Sequence, residues 1–61
     1  MKRFTLEEIE AAIEEGCQGF CAECGLQHDR VEPDAREYGC EDCGTPTVYG
    51  AEELLLMGLV R

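Results

Sequence analysis

Cysteine is the residue type in this chain best suited to chemistry, and four of the five cysteines fall into two pairs of identical spacing. Cys21-Ala22-Glu23-Cys24 is followed by Gly25, and Cys40-Glu41-Asp42-Cys43 is followed by Gly44. Fifteen residues separate Cys24 from Cys40, which makes the pattern C-x2-C-x15-C-x2-C. Two intervening residues let a tight turn aim both sulfurs at one point. A glycine after the second cysteine closes that turn at positive φ without a Cβ clash. Two such knuckles supply four thiolates, the closed tetrahedral set of a structural zinc site. Cys21, Cys24, Cys40 and Cys43 are therefore the expected ligands of one Zn2+ ion. A closed set leaves no open position for a substrate. No nucleophile, base and orienting group converge elsewhere in the sequence, so the expectation is a protein that is not an enzyme.

The need for a metal follows from size. At 61 residues the chain has room for one domain, 1–61. A core this small rarely supplies more than about 3–5 kcal/mol. A structural zinc contributes roughly 10–16 kcal/mol of apparent binding energy at neutral pH. Cys17 is left over and reads as a small, partly buried residue at a helix exit. His28, the only histidine, reads as a hairpin side chain, because the four cysteines already complete a zinc set.

Three segments must position these ligands. Residues 5–16 carry a complete helix start: Thr5 as N-cap, Glu8 three residues on to close a capping box, and Phe4 with Ile9 as a hydrophobic staple. Gly16 stops the helix. Leu6, Ile9, Ala12 and Ile13 form its apolar stripe, while Glu7, Glu8, Glu10, Glu14 and Glu15 cover much of the rest. Residues 17–50 hold all the cysteines and five of the seven glycines, a density that indicates turns and short strands. Strands are expected over 19–21, 26–28, 36–38 and 47–49, with a turn at Glu32-Pro33-Asp34-Ala35. Residues 51–58 read as a second helix, N-capped by Gly50. Its apolar residues, Leu54 to Met57 with Leu59 and Val60 beyond, point all round the axis and need cover. The first helix, a second copy of the chain forming a homodimer, or a partner would provide it. The expected fold class is a small metal-bound α+β domain: a four-cysteine ribbon with an N-terminal helix and a short C-terminal helix.

Charge narrows the partners. The chain has 14 acidic residues against 5 Lys+Arg, a formal net charge of -9. Such a surface repels phosphate backbones and anionic membranes. The longest apolar run is far short of the about 20 residues that span a bilayer. No secretory apolar segment can be drawn at the start, so the expected compartment is the cytoplasm. Thiols stay reduced there, in keeping with an odd cysteine count. The expected partner is a protein, met by the apolar residues Leu55, Leu56 and Leu59 and by the acids Glu10 and Glu14. The alternative is nucleic-acid binding through a small basic tip of Arg30 and Arg36 beside Tyr38.

The paired C-x-x-C-G knuckles resemble the zinc-ribbon, or rubredoxin-like, class. A longer stretch resembles small zinc-ribbon proteins encoded by bacteriophages and prophages. It runs through Val31-Glu32-Pro33-Asp34-Ala35-Arg36, Tyr38-Gly39-Cys40-Glu41-Asp42-Cys43-Gly44 and Val48-Tyr49-Gly50-Ala51-Glu52-Glu53-Leu54-Leu55-Leu56-Met57. The resemblance implies the ribbon fold and zinc at the four matching cysteines. It also implies a host-cytoplasm setting, with host transcription, replication or defence machinery as the partner. It implies no shared activity. Rubredoxin-like electron transfer by iron is a second alternative, since the same thiolates suit either metal. Rubredoxins space their knuckles more widely and pack more aromatics than the four present here.

Overall fold

A computed structural model describes residues 1–61. In chain order the elements are α1 (Leu6–Glu15), β1 (Gln18–Cys21), β2 (Gln27–Asp29), β3 (Val48–Gly50) and α2 (Ala51–Leu56). The first helix starts as its sequence dictates. The Glu8 N–H donates to Thr5 Oγ1 at 3.1 Å, and Glu8 Oε1 accepts from the Thr5 N–H at 2.9 Å. That bond to the Thr5 backbone is the chief cause holding the Glu8 carboxyl below its usual range. Gly16 ends the helix at φ 80, its N–H donating to the Ala12 carbonyl. Thr5→Ala removes the cap and is expected to cost about 1 kcal/mol, read as a lower denaturation midpoint at unchanged slope.

The apolar stripe of α1 is narrower than expected. Ile9 and Ala12 are buried, but Leu6 and Ile13 are 46% and 36% exposed. At 100° per residue those two share one flank of the helix, on the far side of Ile9 from Ala12. The helix packs chiefly on α2 and β1, so that flank overhangs solvent.

The sheet is antiparallel, with order β2-β1-β3. Gln18, Gly19 and Phe20 stand opposite Asp29, His28 and Gln27. Gly19, Phe20 and Cys21 stand opposite Gly50, Tyr49 and Val48. The expected strand at 36–38 does not form. Glu37 takes φ 54, which breaks the extended run, and only Tyr38 bridges to Val48. Arg36 is drawn instead to Glu53.

The second helix stops at Leu56, two residues short of the expected end. Gly58, at φ 76, turns the chain back. Leu59 and Val60 then return to the N-terminal segment, where Phe4 bridges Val60 in parallel and the Phe4 N–H donates to the Leu59 carbonyl. Phe4 is therefore a sheet-like partner of the C-terminus as well as a staple. Its ring lies 4.7 Å from that of Phe20.

Two apolar clusters result. Phe4, Ile9, Ala12, Phe20, Ala51 and Leu54 form one, with Tyr49, Leu59 and Val60 against it. The other consists of Cys21, Val31, Ala35, Cys40 and Val48, with Cys24 beside it. This second cluster has only three apolar side chains that are not thiols, which is where a metal would have to stand in for core.

Candidate metal centre

The two knuckles share the same pair of backbone hydrogen bonds. The Cys21 N–H donates to the Leu26 carbonyl and the Gly25 N–H to the Cys21 carbonyl, at 2.9 and 2.8 Å. The Cys40 N–H donates to the Thr45 carbonyl and the Gly44 N–H to the Cys40 carbonyl, again at 2.9 and 2.8 Å. Gly25 and Gly44 sit at φ 83 and 74, the left-handed region that closes each turn. The first knuckle grows from the end of β1, and the second is anchored by the Tyr38–Val48 bridge.

All four sulfurs lie within 4.8 Å of one another. Across the knuckles, Cys21 Sγ is 3.6 Å from Cys43 Sγ and Cys24 Sγ is 3.7 Å from Cys40 Sγ. Metal–sulfur bonds of about 2.3 Å in a tetrahedron require sulfurs about 3.8 Å apart. The set therefore suits a tetrahedral metal ion in number and chemistry, and its two cross-knuckle separations match that spacing. Cys21 and Cys40 are buried, Cys24 is half-buried and Cys43 is exposed.

Several donors surround the sulfurs. The Cys24 N–H reaches Cys21 Sγ at 3.4 Å. Thr47 Oγ1 lies 3.1 Å from Cys21 Sγ, Thr45 Oγ1 lies 3.1 Å from Cys43 Sγ, and the two hydroxyls are 2.7 Å apart. Burial pushes the Cys21 thiol up, but the Cys24 N–H and the Thr47 hydroxyl outweigh it and bring it down to about 6. The Leu26 N–H pulls Cys24 down, but burial and the neighbouring sulfurs outweigh it and push it up to about 12. The Thr45 hydroxyl and N–H lower Cys43. Such outer donors orient metal ligands and tune their basicity.

His28 is more than a hairpin side chain. On β2, its Nε2 lies 3.5 Å from Cys40 Sγ. Thr45, Thr47 and His28 escape sequence reading as parts of the site. The one sequence signal for Thr45 and Thr47 is that two hydroxyl side chains directly follow the second knuckle. Cys17 departs from expectation: it is exposed. It follows Gly16 at φ 53, and its carbonyl rather than its thiol is engaged, accepting from the Val31 N–H.

The expected partner residues are spread over the molecule. Leu56 is 80% and Leu55 42% exposed on α2. Leu59 is half-buried against the chain's own first cluster. Glu10 and Glu14 are exposed on α1. At the expected basic tip, Arg36 Nε is paired with Glu53 Oε1 at 2.8 Å. The Tyr38 hydroxyl donates to Glu32 Oε2, which lowers the Glu32 carboxyl and raises Tyr38. Two of the three tip residues are thus already held by carboxylates. No helix is long and apolar enough to cross a membrane.

Fold and site together define a small α+β protein, with a three-stranded antiparallel sheet and two helices, built around four cysteines that can hold a metal ion. No protein-family model, curated protein or solved structure matches the chain.

Proposed function

We propose that Cys21, Cys24, Cys40 and Cys43 hold one structural zinc ion, and that the zinc-held ribbon is a non-enzymatic module that binds a protein partner. The observation that carries the metal reading is the pair of cross-knuckle sulfur separations, 3.6 and 3.7 Å, on two turns with the same backbone hydrogen bonds. Four thiolates complete the coordination of zinc, which suits a scaffold rather than a catalyst. The partner reading draws on Leu55 and Leu56, apolar side chains left in solvent on a six-residue helix. Glu52 lies exposed beside them in the first turn of the same helix. An apolar anchor in a chain of net charge -9 suits a partner with a basic surface. The resemblance to phage-encoded ribbons directs the search to host machinery.

Affinity capture tests this. The zinc-loaded chain is expected to retain a basic protein from host lysate at low salt, and Leu55→Glu with Leu56→Glu to release it. Retention unchanged by that double substitution would remove α2 from the interface. Recovery of nothing specific would count against the interaction reading as a whole.

A further inference from the structure

The flank of α1 opposite Leu6 and Ile13 leaves a groove of about 620 Å³ against the sheet. The helix contributes Glu8, Ala11, Ala12 and Glu15, spaced i, i+3, i+4 and i+7. Gln18 and Phe20 of β1 form the other wall with their cross-strand partners, Asp29 and Gln27 of β2. Alternation puts all four on one face of the sheet. The groove is open for two reasons. Ala11 and Ala12 are too small to fill it, and α1 packs chiefly over β1 and α2, which leaves the β2 side uncovered.

Its chemistry is of two kinds. Ala11, Ala12 and Phe20 are apolar. Glu8, Glu15 and Asp29 are carboxylates, and no lysine or arginine lines the groove. Glu8 is committed to the Thr5 cap, and neither Glu15 nor Asp29 has an ion-pair partner, since the chain's salt bridge joins Arg36 to Glu53. The amides of Gln18 and Gln27 are bonded to each other at 3.0 Å. A seat with small apolar contacts and free carboxylates at its rim matches a long side chain with an aliphatic stem and a cationic head. Arginine suits it better than lysine, because a planar fork can meet a carboxylate with two parallel bonds. From Glu8 to Glu15 the helix rises roughly 10 Å, room for one such side chain and the backbone that carries it.

We propose that this groove docks an arginine side chain of a basic protein segment. The inference rests on the reading that the partner is a protein with a basic surface, and it places that partner's arginine between α1 and β2.

The test is a titration of the isotope-labelled, zinc-loaded chain, followed by amide NMR at about 150 mM salt, where diffuse attraction is screened. One probe is a short glycine peptide carrying two arginines. The other is the same peptide with citrulline, a neutral mimic of arginine. The arginine peptide is expected to give saturable shifts at Ala11, Glu15, Gln27 and Asp29, and the citrulline peptide none. Glu15→Gln with Asp29→Asn is expected to weaken binding about tenfold. Glu7→Gln with Glu37→Gln removes the same charge outside the groove and is expected to change it less than about twofold. Equal weakening by both double variants would overturn the proposal in favour of diffuse attraction. Equal binding of the citrulline peptide, or shifts centred on Leu55 and Leu56, would overturn it too. The lysate capture reads α2 separately, so failure of the groove and failure of the partner reading are distinguishable.

Discussion

Serine at Cys40 is expected to abolish stoichiometric zinc and with it the native fold. Elemental analysis of the unsubstituted protein should give about one metal ion per chain, and the variant close to none. The reason lies in how little holds the knuckle half together. Apart from its thiols, the second cluster has Val31, Ala35 and Val48. A core of this size supplies about 3–5 kcal/mol for the entire chain, against roughly 10–16 kcal/mol for a structural zinc. Chelation should therefore have the same outcome as the substitution: loss of amide-shift dispersion and of the cooperative thermal transition. A metal-free chain that kept both would sink the structural-zinc reading. Iron in place of zinc would keep the ligands and change the ion.

Metal uptake should also weaken as pH falls. In the metal-free folded chain Cys21, at about 6, lies below the ordinary thiol value of 9.0. Its contribution to stability is present above pH 9 and lost as pH falls through about 6. Cys24, at about 12, lies on the other side. Its contribution is present below pH 9 and lost as pH rises through about 12. Near neutral pH the metal-free cluster thus keeps thiol protons, with Cys21 favoured over Cys24 as thiolate. A metal must displace those protons, because only thiolates ligate. Proton release, measured as the dependence of binding enthalpy on buffer ionisation, should be at least one per ion. Affinity unchanged between about pH 6 and 8 would contradict this.

The parts of the fold legible in the sequence are those with local causes. A capping box spans four residues and a knuckle five, so Thr5, Glu8 and the two C-x-x-C-G runs state their own geometry. What the sequence hides is decided at long range. Nothing local to Phe4 says that it will pair with Val60, and nothing local to Arg36 says that Glu53 will take it from a strand. Glu37 at φ 54 is a choice the surrounding structure makes for it. Cys17 goes to the surface because Gly16 turns the chain there, an outcome that composition does not encode. His28 joins the sulfur cluster only through the β1–β2 register, which sets β2 beside the knuckles.

Gly50→Ala is expected to be among the more damaging changes that leave every cysteine in place, at about 1–3 kcal/mol. Its φ of -64 is open to any residue, so backbone strain is not the cause. The cause is space: a Cβ at Gly50 would collide with the backbone carbonyls of Glu32 and Pro33. Those carbonyls cannot swing aside freely. The Pro33 carbonyl accepts from the Glu53 N–H at 3.0 Å, the Glu32 carbonyl accepts from the Ala35 N–H at 2.9 Å, and the Gly50 N–H donates to the Ala35 carbonyl at 3.0 Å. Arg36 adds its ion pair to Glu53, whose side chain is 7% exposed. The start of α2 thus clamps the 32–36 segment, the last stretch of chain before the second knuckle. Displacing it should move Cys40 relative to Cys21 and weaken metal binding as well as folding. Gly39→Ala is the control, because a Cβ there meets nothing within 4 Å, and it should stay within about 0.5 kcal/mol of the parent. The expected pattern is a Gly50→Ala chain with a lower thermal midpoint and a raised metal dissociation constant, beside a Gly39→Ala chain unchanged in both. A Gly50→Ala chain that lost stability but bound metal as tightly as the parent would show that the clamp does not reach the sulfurs.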